Sequence, residues 1–207
     1  MIYLSQLILN PASRMVQNES RNPYEMHRTL MRGFADKRHE GNVLHRLDIN
    51  PYSGVMALLV QSTVEPDWQP LTQVGHGEYL LTPPQWKAVE LDLPNGRILQ
   101  FRLTANPTKR LSSGKGNKPG PRRALYQEAD QCDWLRQKGE AHGFRLLDVQ
   151  VSHAQKQTSR AKSITLHTVQ FNGRLQITDA ATFTTALQTG IGPAKAFGCG
   201  LLSLAPA

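Results

Sequence analysis

The alternation of apolar and polar positions divides this chain into short strand-like runs separated by a few stretches of helical period. Residues 2–9 alternate apolar side chains with Tyr3, Ser5 and Gln6 and stop at Asn10-Pro11, which predicts an opening strand. After a polar loop, Met26, Leu30 and Phe34 recur at four-residue spacing, the core-facing ridge of an amphipathic helix. Asn22 is its expected cap, Pro23 suits its first position, and Glu25 stands where it can reach back to the backbone donor of Asn22. Lys37, Arg38 and His39 follow toward the C-terminal end of this helix, before Gly41. Residues 43–49 and 55–61 read as two more strands around the turn Asn50-Pro51-Tyr52-Ser53-Gly54. Residues 65–96 contain Pro66, Pro70, Pro83, Pro84 and Pro94, and are expected to be irregular apart from a short strand at 78–81.

The pattern then repeats. Residues 98–105 predict a strand closed by Asn106-Pro107, and residues 108–123, rich in Ser, Gly, Pro and cations, predict a mobile basic loop. Residues 125–138 have helical period with Leu125, Ala129, Cys132 and Leu135 facing inward. Residues 144–151 and 164–171 read as paired strands joined by a basic hairpin at 152–163, with 174–177 extending the sheet. Asp179 caps a last helix to about residue 188, and 198–204 lead into a final strand. The first half thus reads β-α-β-β before its irregular stretch, and the second reads β-α-β-β-α-β. The predicted fold class is α+β: tandem ferredoxin-like (RRM-like) domains at 1–94 and 97–207, each a βαββαβ antiparallel sheet, the first degraded in its latter part. At 207 residues the chain is long enough for two cores. Open antiparallel sheets of this kind are a common RNA platform, although a fold alone carries no function.

Charge separates the halves. The net charge is +8, yet residues 1–95 carry 8 Lys/Arg against 10 Asp/Glu, while residues 96–207 carry 16 against 6. Residues 97–127 contain eight cations and no acid, and residues 149–178 contain Lys156, Arg160, Lys162 and Arg174 with no acid. Two such spans in one half point to a polyanion, nucleic acid before all others. No stretch reaches the ~20 apolar residues that cross a bilayer, and no basic amphipathic helix suggests a membrane surface. The opening apolar run lacks a basic leader, and the two cysteines, Cys132 and Cys199, have no metal-ligand spacing. The expectation is a cytoplasmic protein without disulfides, metal or other cofactor.

Two clusters carry candidate chemistry. Tyr24 and His27 lie at i and i+3 on the first helix, beside Arg28 and Arg32 at i and i+4, near a helix start that attracts phosphate. The ridge of Met26, Leu30 and Phe34 is complete without Tyr24 and His27, which leaves both free to face a ligand. Near the other terminus, Gly190, Gly192, Gly198 and Gly200 surround Lys195. Glycines let backbone N–H groups approach a phosphate, and Lys195 adds a point charge; the plainer use is a helix C-cap at Gly190 followed by tight turns.

With these motifs in hand, the sequence resembles the CasE-type CRISPR precursor-RNA endoribonucleases of type I-E Cascade systems. The resemblance spans nearly the whole chain: the opening strand with Leu9-Asn10-Pro11, residues 22–30, Phe101-Arg102-Leu103-Thr104-Ala105-Asn106-Pro107, and residues 190–206, the most diagnostic segment. It implies two ferredoxin-like domains that bind the CRISPR repeat hairpin, cut at its base without a metal to leave a 2′,3′-cyclic phosphate, and keep the guide RNA bound alongside other Cascade subunits. It also implies that His27 and Tyr24 are catalytic and that Arg28 and Arg32 contact the backbone around the cut. RNA contacts are further implied for Lys156, Arg160 and Lys162 in the basic hairpin, for the glycine-rich loop with Lys195, and for Lys109 and Arg110. The tract 112–121 lies outside the resemblance.

The chemistry so implied is internal transesterification, in which the 2′-OH attacks phosphorus in line and the 5′ oxygen leaves. An imidazole can take or give a proton near neutral pH, and protonation of the leaving oxygen is the favoured role for His27. A phenol is a weak base, so Tyr24 suits positioning of the 2′-OH. Arg28, Arg32 or Lys195 can stabilise the crowded phosphate. Two other readings compete. A cyclic-phosphodiesterase fold needs two His-x-Thr motifs, and only His27-Arg28-Thr29 supplies one. A hairpin-binding subunit that cuts nothing would keep the basic hairpin and the glycine loop, with His27 structural.

Overall fold

In a computed structural model of the protein, residues 1–37, 41–111, 120–159 and 164–207 are described, with the side chains of 35–37, 153–159 and 164 left aside. The opening strand β1 (Ile2–Leu9) is followed by α1 (Arg14–Arg21), α2 (Pro23–Leu30), a 3₁₀ segment Met31–Lys37, β2 (Leu44–Ile49), β3 (Met56–Ser62), the single turn α3 (Gln69–Thr72) and β4 (Gln85–Val89). The strands form an antiparallel sheet in the order β2-β3-β1-β4. The second half supplies β5 (Ile98–Ala105), β6 (Thr108–Arg110), β7 (Arg122–Ala124), α4 (Glu128–Ala141), β8 (Phe144–Ser159), β9 (Ile164–Ile177), α5 (Ala180–Thr189) and β10 (Leu202–Pro206). Its sheet runs β10-β5-β9-β8, again antiparallel. Both sheets place the first strand between the third and fourth, with the second at the far edge, which is the ferredoxin-like order.

Period-two alternation explains the strands. In β5, Leu99, Phe101, Leu103 and Ala105 are buried while Ile98, Gln100 and Arg102 face outward. Each sheet seals its own cluster. One gathers Leu7, Leu9, Met26, Leu30, Phe34, Leu58 and Tyr79, the other Leu103, Leu135, Phe144, Phe171, Phe183 and Ile191. At roughly 1.5–3 kcal/mol per large apolar side chain buried, either cluster can hold its sheet and helices together. Met26, Leu30 and Phe34 are all sealed from solvent as expected, but the helix is shorter than predicted: α2 ends at Leu30, and Phe34 lies in the 3₁₀ segment with a non-helical backbone. Among the described residues, no helix is long and apolar enough to cross a membrane.

Several local expectations are corrected. The supposed polar loop before α2 is the helix α1, joined to α2 through Asn22 alone. The capping box does not form: the backbone N–H of Asn22 already donates to the carbonyls of Asn18 and Glu19 as the C-cap of α1, and Glu25 pairs instead with Arg28 at 2.8 Å. The fourth strand of the first sheet lies at Gln85–Val89, not at 78–81, where Leu80 makes only an isolated bridge to Leu9 and Tyr79 serves the core. Residues 108–123 are not wholly a loop, because β6 and β7 pair as a two-stranded ribbon on either side of residues that lie outside the description.

Helix α4 is also rotated relative to its expected stripe. It buries Gln131, Trp134, Leu135 and Gly139, and leaves Ala129 exposed and Cys132 half-buried. Trp134 stacks on Phe171 at 6.4 Å, and sealing an indole gains more than sealing Ala129 and a thiol. The first strand flanking the basic hairpin runs further than expected, to Ser159, while its partner starts at Ile164 as expected and continues unbroken to Ile177, with bulges between Leu146 and Asp148 and between Ser152 and Gln155. Asp179 caps α5 as expected, its carboxylate accepting from the N–H groups of Ala181 and Thr182. The last strand starts at Leu202, four residues later than expected from 198.

Two buried polar contacts fix the sheets to one another. Arg46 on β2 is locked by a double bond to Asp48, and its third nitrogen donates to Ser203 on β10 at 2.9 Å. Gln61 on β3 donates to the carbonyl of Leu187 on α5 at 2.6 Å. Because both are sheltered from water, breaking either leaves an unsatisfied polar group, worth about 1–3 kcal/mol. The first sets β2 against β10 and the second sets β3 against the C-terminal end of α5, where Leu44 of β2 stands against Gly190.

Candidate active site

Helix α2 is held from below by a buried acid. The carboxylate of Glu19 on α1 accepts from the hydroxyl of Thr29 at 2.6 Å and from the hydroxyl of Tyr79 at 2.6 Å. Burial holds this carboxyl above its usual range and pushes the Tyr79 phenol up as well, so both groups serve as fixed hydrogen-bond partners. With Thr29 and the Met26–Leu30 ridge turned into the core, Tyr24 and His27 are left on the face of α2 that meets the C-terminal glycine-rich loop.

That contact brings together residues from opposite ends of the chain. Tyr24 packs on Phe197 with ring centroids 5.6 Å apart. His27 is half-buried and lines a cleft of about 170 Å³ together with Met31, Asn42, Leu44, Thr189 and Lys195. Its Nδ1 is sealed off with no partner, which leaves Nε2 as the ring nitrogen toward the cleft. Desolvation holds His27 below the ordinary imidazole value and Lys195 below the ordinary ammonium value. An imidazole and an amine, each partly stripped of water, thus share one opening.

Behind His27 stands a second imidazole that sequence reading missed. His45 on β2 stacks against His27 at 5.7 Å with an interplanar angle of 21°. It is fully enclosed, neither ring nitrogen has a partner, and burial drives its pKa down to about 3, with the charge of His27 adding to the effect. His45 therefore stays neutral, and His27 is the member of the pair that titrates. No periodicity signals this: Leu44, His45 and Arg46 are consecutively buried because the second lobe covers a strand edge that would otherwise alternate.

The glycine-rich loop is built differently from the expectation of amides turned toward a ligand. Gly190, Gly192, Gly198 and Gly200 all have positive φ, but the N–H of Gly190 donates to Ala186, that of Gly198 to Lys195, and that of Gly200 to Thr104. Those three amides are committed to the protein's own carbonyls. The glycines matter as much for clearance. A Cβ at Gly190 would stand 2.7 Å from Leu44, and one at Gly192 3.0 Å from the indole of Trp134. Both descriptions offered by sequence therefore apply in part: Gly190 is the C-cap of α5, and the turns after it carry Lys195 to the cleft.

The remaining candidates are spread out. Arg28 and Arg32 are exposed and do not line the cleft: Arg28 is held by Glu25, and the charge of Arg32 is felt by Glu19 and Tyr79. Lys109 and Arg110 lie on β6, away from the cleft, opposite Arg123 and Arg122, which sequence reading did not single out. Lys156 lies on β8, while Arg160 and Lys162, like Arg38, His39 and most of the 112–121 tract, fall outside the described residues. Among the described residues, no group of three or more His, Cys, Asp or Glu side chains is placed to hold a metal ion.

A family model described as CRISPR associated protein matches residues 2–206. The chain is 36% identical over 221 residues to the CRISPR-associated endoribonuclease Cse3 of Thermus thermophilus, covering 99% of this chain and all of that protein. It is 35% identical over 216 residues to the CRISPR system Cascade subunit CasE of Escherichia coli, again over 99% of this chain and all of the relative. Its fold matches the structure of Thermus thermophilus Cse3 bound to an RNA representing a pre-cleavage complex, with a TM-score of 0.86, 36% identity and 99% of each chain covered.

Proposed function

The chain belongs to the family of CRISPR-associated proteins, and on that premise we propose that it is an endoribonuclease that binds the repeat hairpin of CRISPR precursor RNA and cuts it once. The product guide RNA stays bound, and the protein carries it into Cascade as a subunit, as the name of its Escherichia coli relative suggests. The observation that carries this reading is the shared cleft of His27 on α2 and Lys195 in the glycine-rich loop, lined also by Leu44 at the start of β2 and Thr189 at the end of α5.

The residues around the cleft suit a reaction that proceeds without a metal. The ribose 2′-OH attacks the adjacent phosphorus and releases its proton to solvent, the P–O5′ bond breaks as the 5′ oxygen leaves with a proton from His27, and a 2′,3′-cyclic phosphate remains. Tyr24, braced on Phe197, positions the 2′-OH. Lys195 meets the charge that builds on the phosphate, and its half-buried setting strengthens that attraction. His27 protonates the leaving oxygen. Its depressed pKa favours the neutral imidazole in the free protein, and an arriving phosphate supplies the negative charge that draws a proton onto Nε2. Arg28 and Arg32 hold the backbone around the cut, and the β8–β9 hairpin with Lys156, Arg160 and Lys162 grips the stem.

Incubation with repeat RNA in EDTA tests the proposal. Cleavage at one site, a cyclic phosphate by mass spectrometry, and loss of cleavage but not binding on a 2′-deoxy substitution at the cut are the expected results. Tight binding with intact RNA would leave a hairpin-binding subunit, and normal cleavage of the deoxy substrate would rule out the assigned nucleophile.

A further inference from the structure

The ribbon β6–β7 carries a local conflict. Its register sets Lys109 opposite Arg123 and Arg110 opposite Arg122, so each face of the ribbon presents a like-charged cross-strand pair. All four side chains are exposed, and among the described residues none is in an ion pair. Like charges directly opposite one another destabilise a two-stranded ribbon, and a polyanion would reverse the sign of that term.

Beside the ribbon lies a cleft of about 400 Å³, within the range of small-ligand sites. It is lined by Lys109 and Arg110 from the ribbon, by Leu125, and by Trp134, Gln137 and Lys138 from α4. Lys138 extends over the Trp134 ring at 5.8 Å. Asp130 and Asp133 also line the cleft, Asp133 engaged by Arg136, so the site offers hydrogen-bond acceptors as well as cations. A cleft of this size admits the base of one unpaired nucleotide and excludes a paired stem, whose bases are stacked inside the helix. Its far side lies toward the glycine-rich loop: Trp134 is the ring that Gly192 stands against, and His142 feels the charges of both Lys138 and Lys195.

Building on the reading of the chain as an RNA-cleaving enzyme, we propose that the β6–β7 ribbon and the α4 cleft beneath it form a second RNA site for the unpaired strand flanking the repeat hairpin. The ribbon holds the phosphates, and the cleft lined by Leu125 and Trp134 takes one base with its polar edge toward Gln137 and Asp130. The flank thereby continues from the cut along Lys195, Lys138 and the ribbon.

Binding of the full chain to three non-cleavable 2′-deoxy RNAs tests this: the blunt repeat hairpin, the hairpin with an unpaired 5′ flank, and the hairpin with an unpaired 3′ flank. The wild-type chain should bind one flanked RNA roughly tenfold or more tightly than the blunt hairpin, with a steeper salt dependence. Lys109→Ala, Arg110→Ala, Arg122→Ala and Arg123→Ala together should erase that preference, and Lys138→Ala should reduce it. The melting temperature of the quadruple variant should be unchanged or higher, because the substitutions remove repulsion. A wild-type chain indifferent to flanks, or a quadruple variant that keeps the preference, overturns the proposal and turns the ribbon toward another anion such as an acidic protein. A lowered melting temperature overturns it too, since the four cations would then be holding the fold. A wild-type chain that binds no repeat hairpin at all instead sinks the proposed function on which this site rests.

Discussion

The cleft at His27 and the ribbon β6–β7 are two solutions to handling a polyanion, and they differ in almost every physical respect. The cleft is small and half-buried, and its working groups are one imidazole and one amine, each partly desolvated. The ribbon is exposed and carries four opposed cations. Chemistry needs a group whose protonation can change near neutral pH, which an imidazole is by its ordinary pKa, and desolvation lowers that pKa and favours the uncharged ring. Retention of RNA needs counterion release, and exposed guanidinium and ammonium groups supply that without any shift in protonation. On the proposed reading, charge density marks where RNA is held, and its scarcity marks where RNA is cut.

That contrast predicts a clean division of phenotypes. The largest effect is expected for His27→Ala, which should slow single-turnover cleavage by about 10²–10⁴-fold while RNA affinity changes little; a comparable loss in both would merge the two regions. Next, Lys156→Ala, Arg160→Ala and Lys162→Ala combined should weaken binding by about 100-fold and lower the salt slope by about 2 to 3, visible in a titration across salt concentrations. If affinity is untouched, the stem is gripped elsewhere.

A smaller effect concerns stability. Because burial lowers the pKa of His45 to about 3, the unfolded chain binds a proton below its ordinary value of 6.5 that the folded chain refuses. Stability is thus complete above about pH 6.5 and falls as the pH drops, by about 2 kcal/mol at pH 5. His27 adds in the same direction. The variant His45→Phe keeps a ring against His27 but cannot titrate, so thermal melts at pH 7 and pH 5 should lie closer together than in the wild-type chain. The smallest effect is expected for Lys195→Ala, about tenfold on the cleavage rate with less change in affinity. A loss confined to affinity would assign Lys195 to the holding surface and blur the comparison.

Much of the architecture was readable beforehand because it rests on local alternation. Residues 98–105 show their buried and exposed sides in the order of the residues themselves, and Asp179 caps α5 through a purely local contact. Where reading failed, a distant partner had intervened. Asn22 could not act in a capping box because α1 had already taken its N–H, and the stripe of α4 turned so that Trp134 could reach Phe171. The glycines at 190–200 announced a tight loop, but which amides remain free depended on carbonyls at Thr104 and Ala186.

By itself the sequence determined two ferredoxin-like sheets, the inward ridge of α2 and the acid-free spans of the second half, since each follows from the spacing of neighbouring residues. Only the tertiary structure decided that His27 would share a cleft with Lys195, lean on an enclosed His45, and stand against a loop from the other terminus. Those relations arise where β2 and β3 meet β10 and the end of α5, and a contact between surfaces remote along the chain leaves no periodic trace in either one.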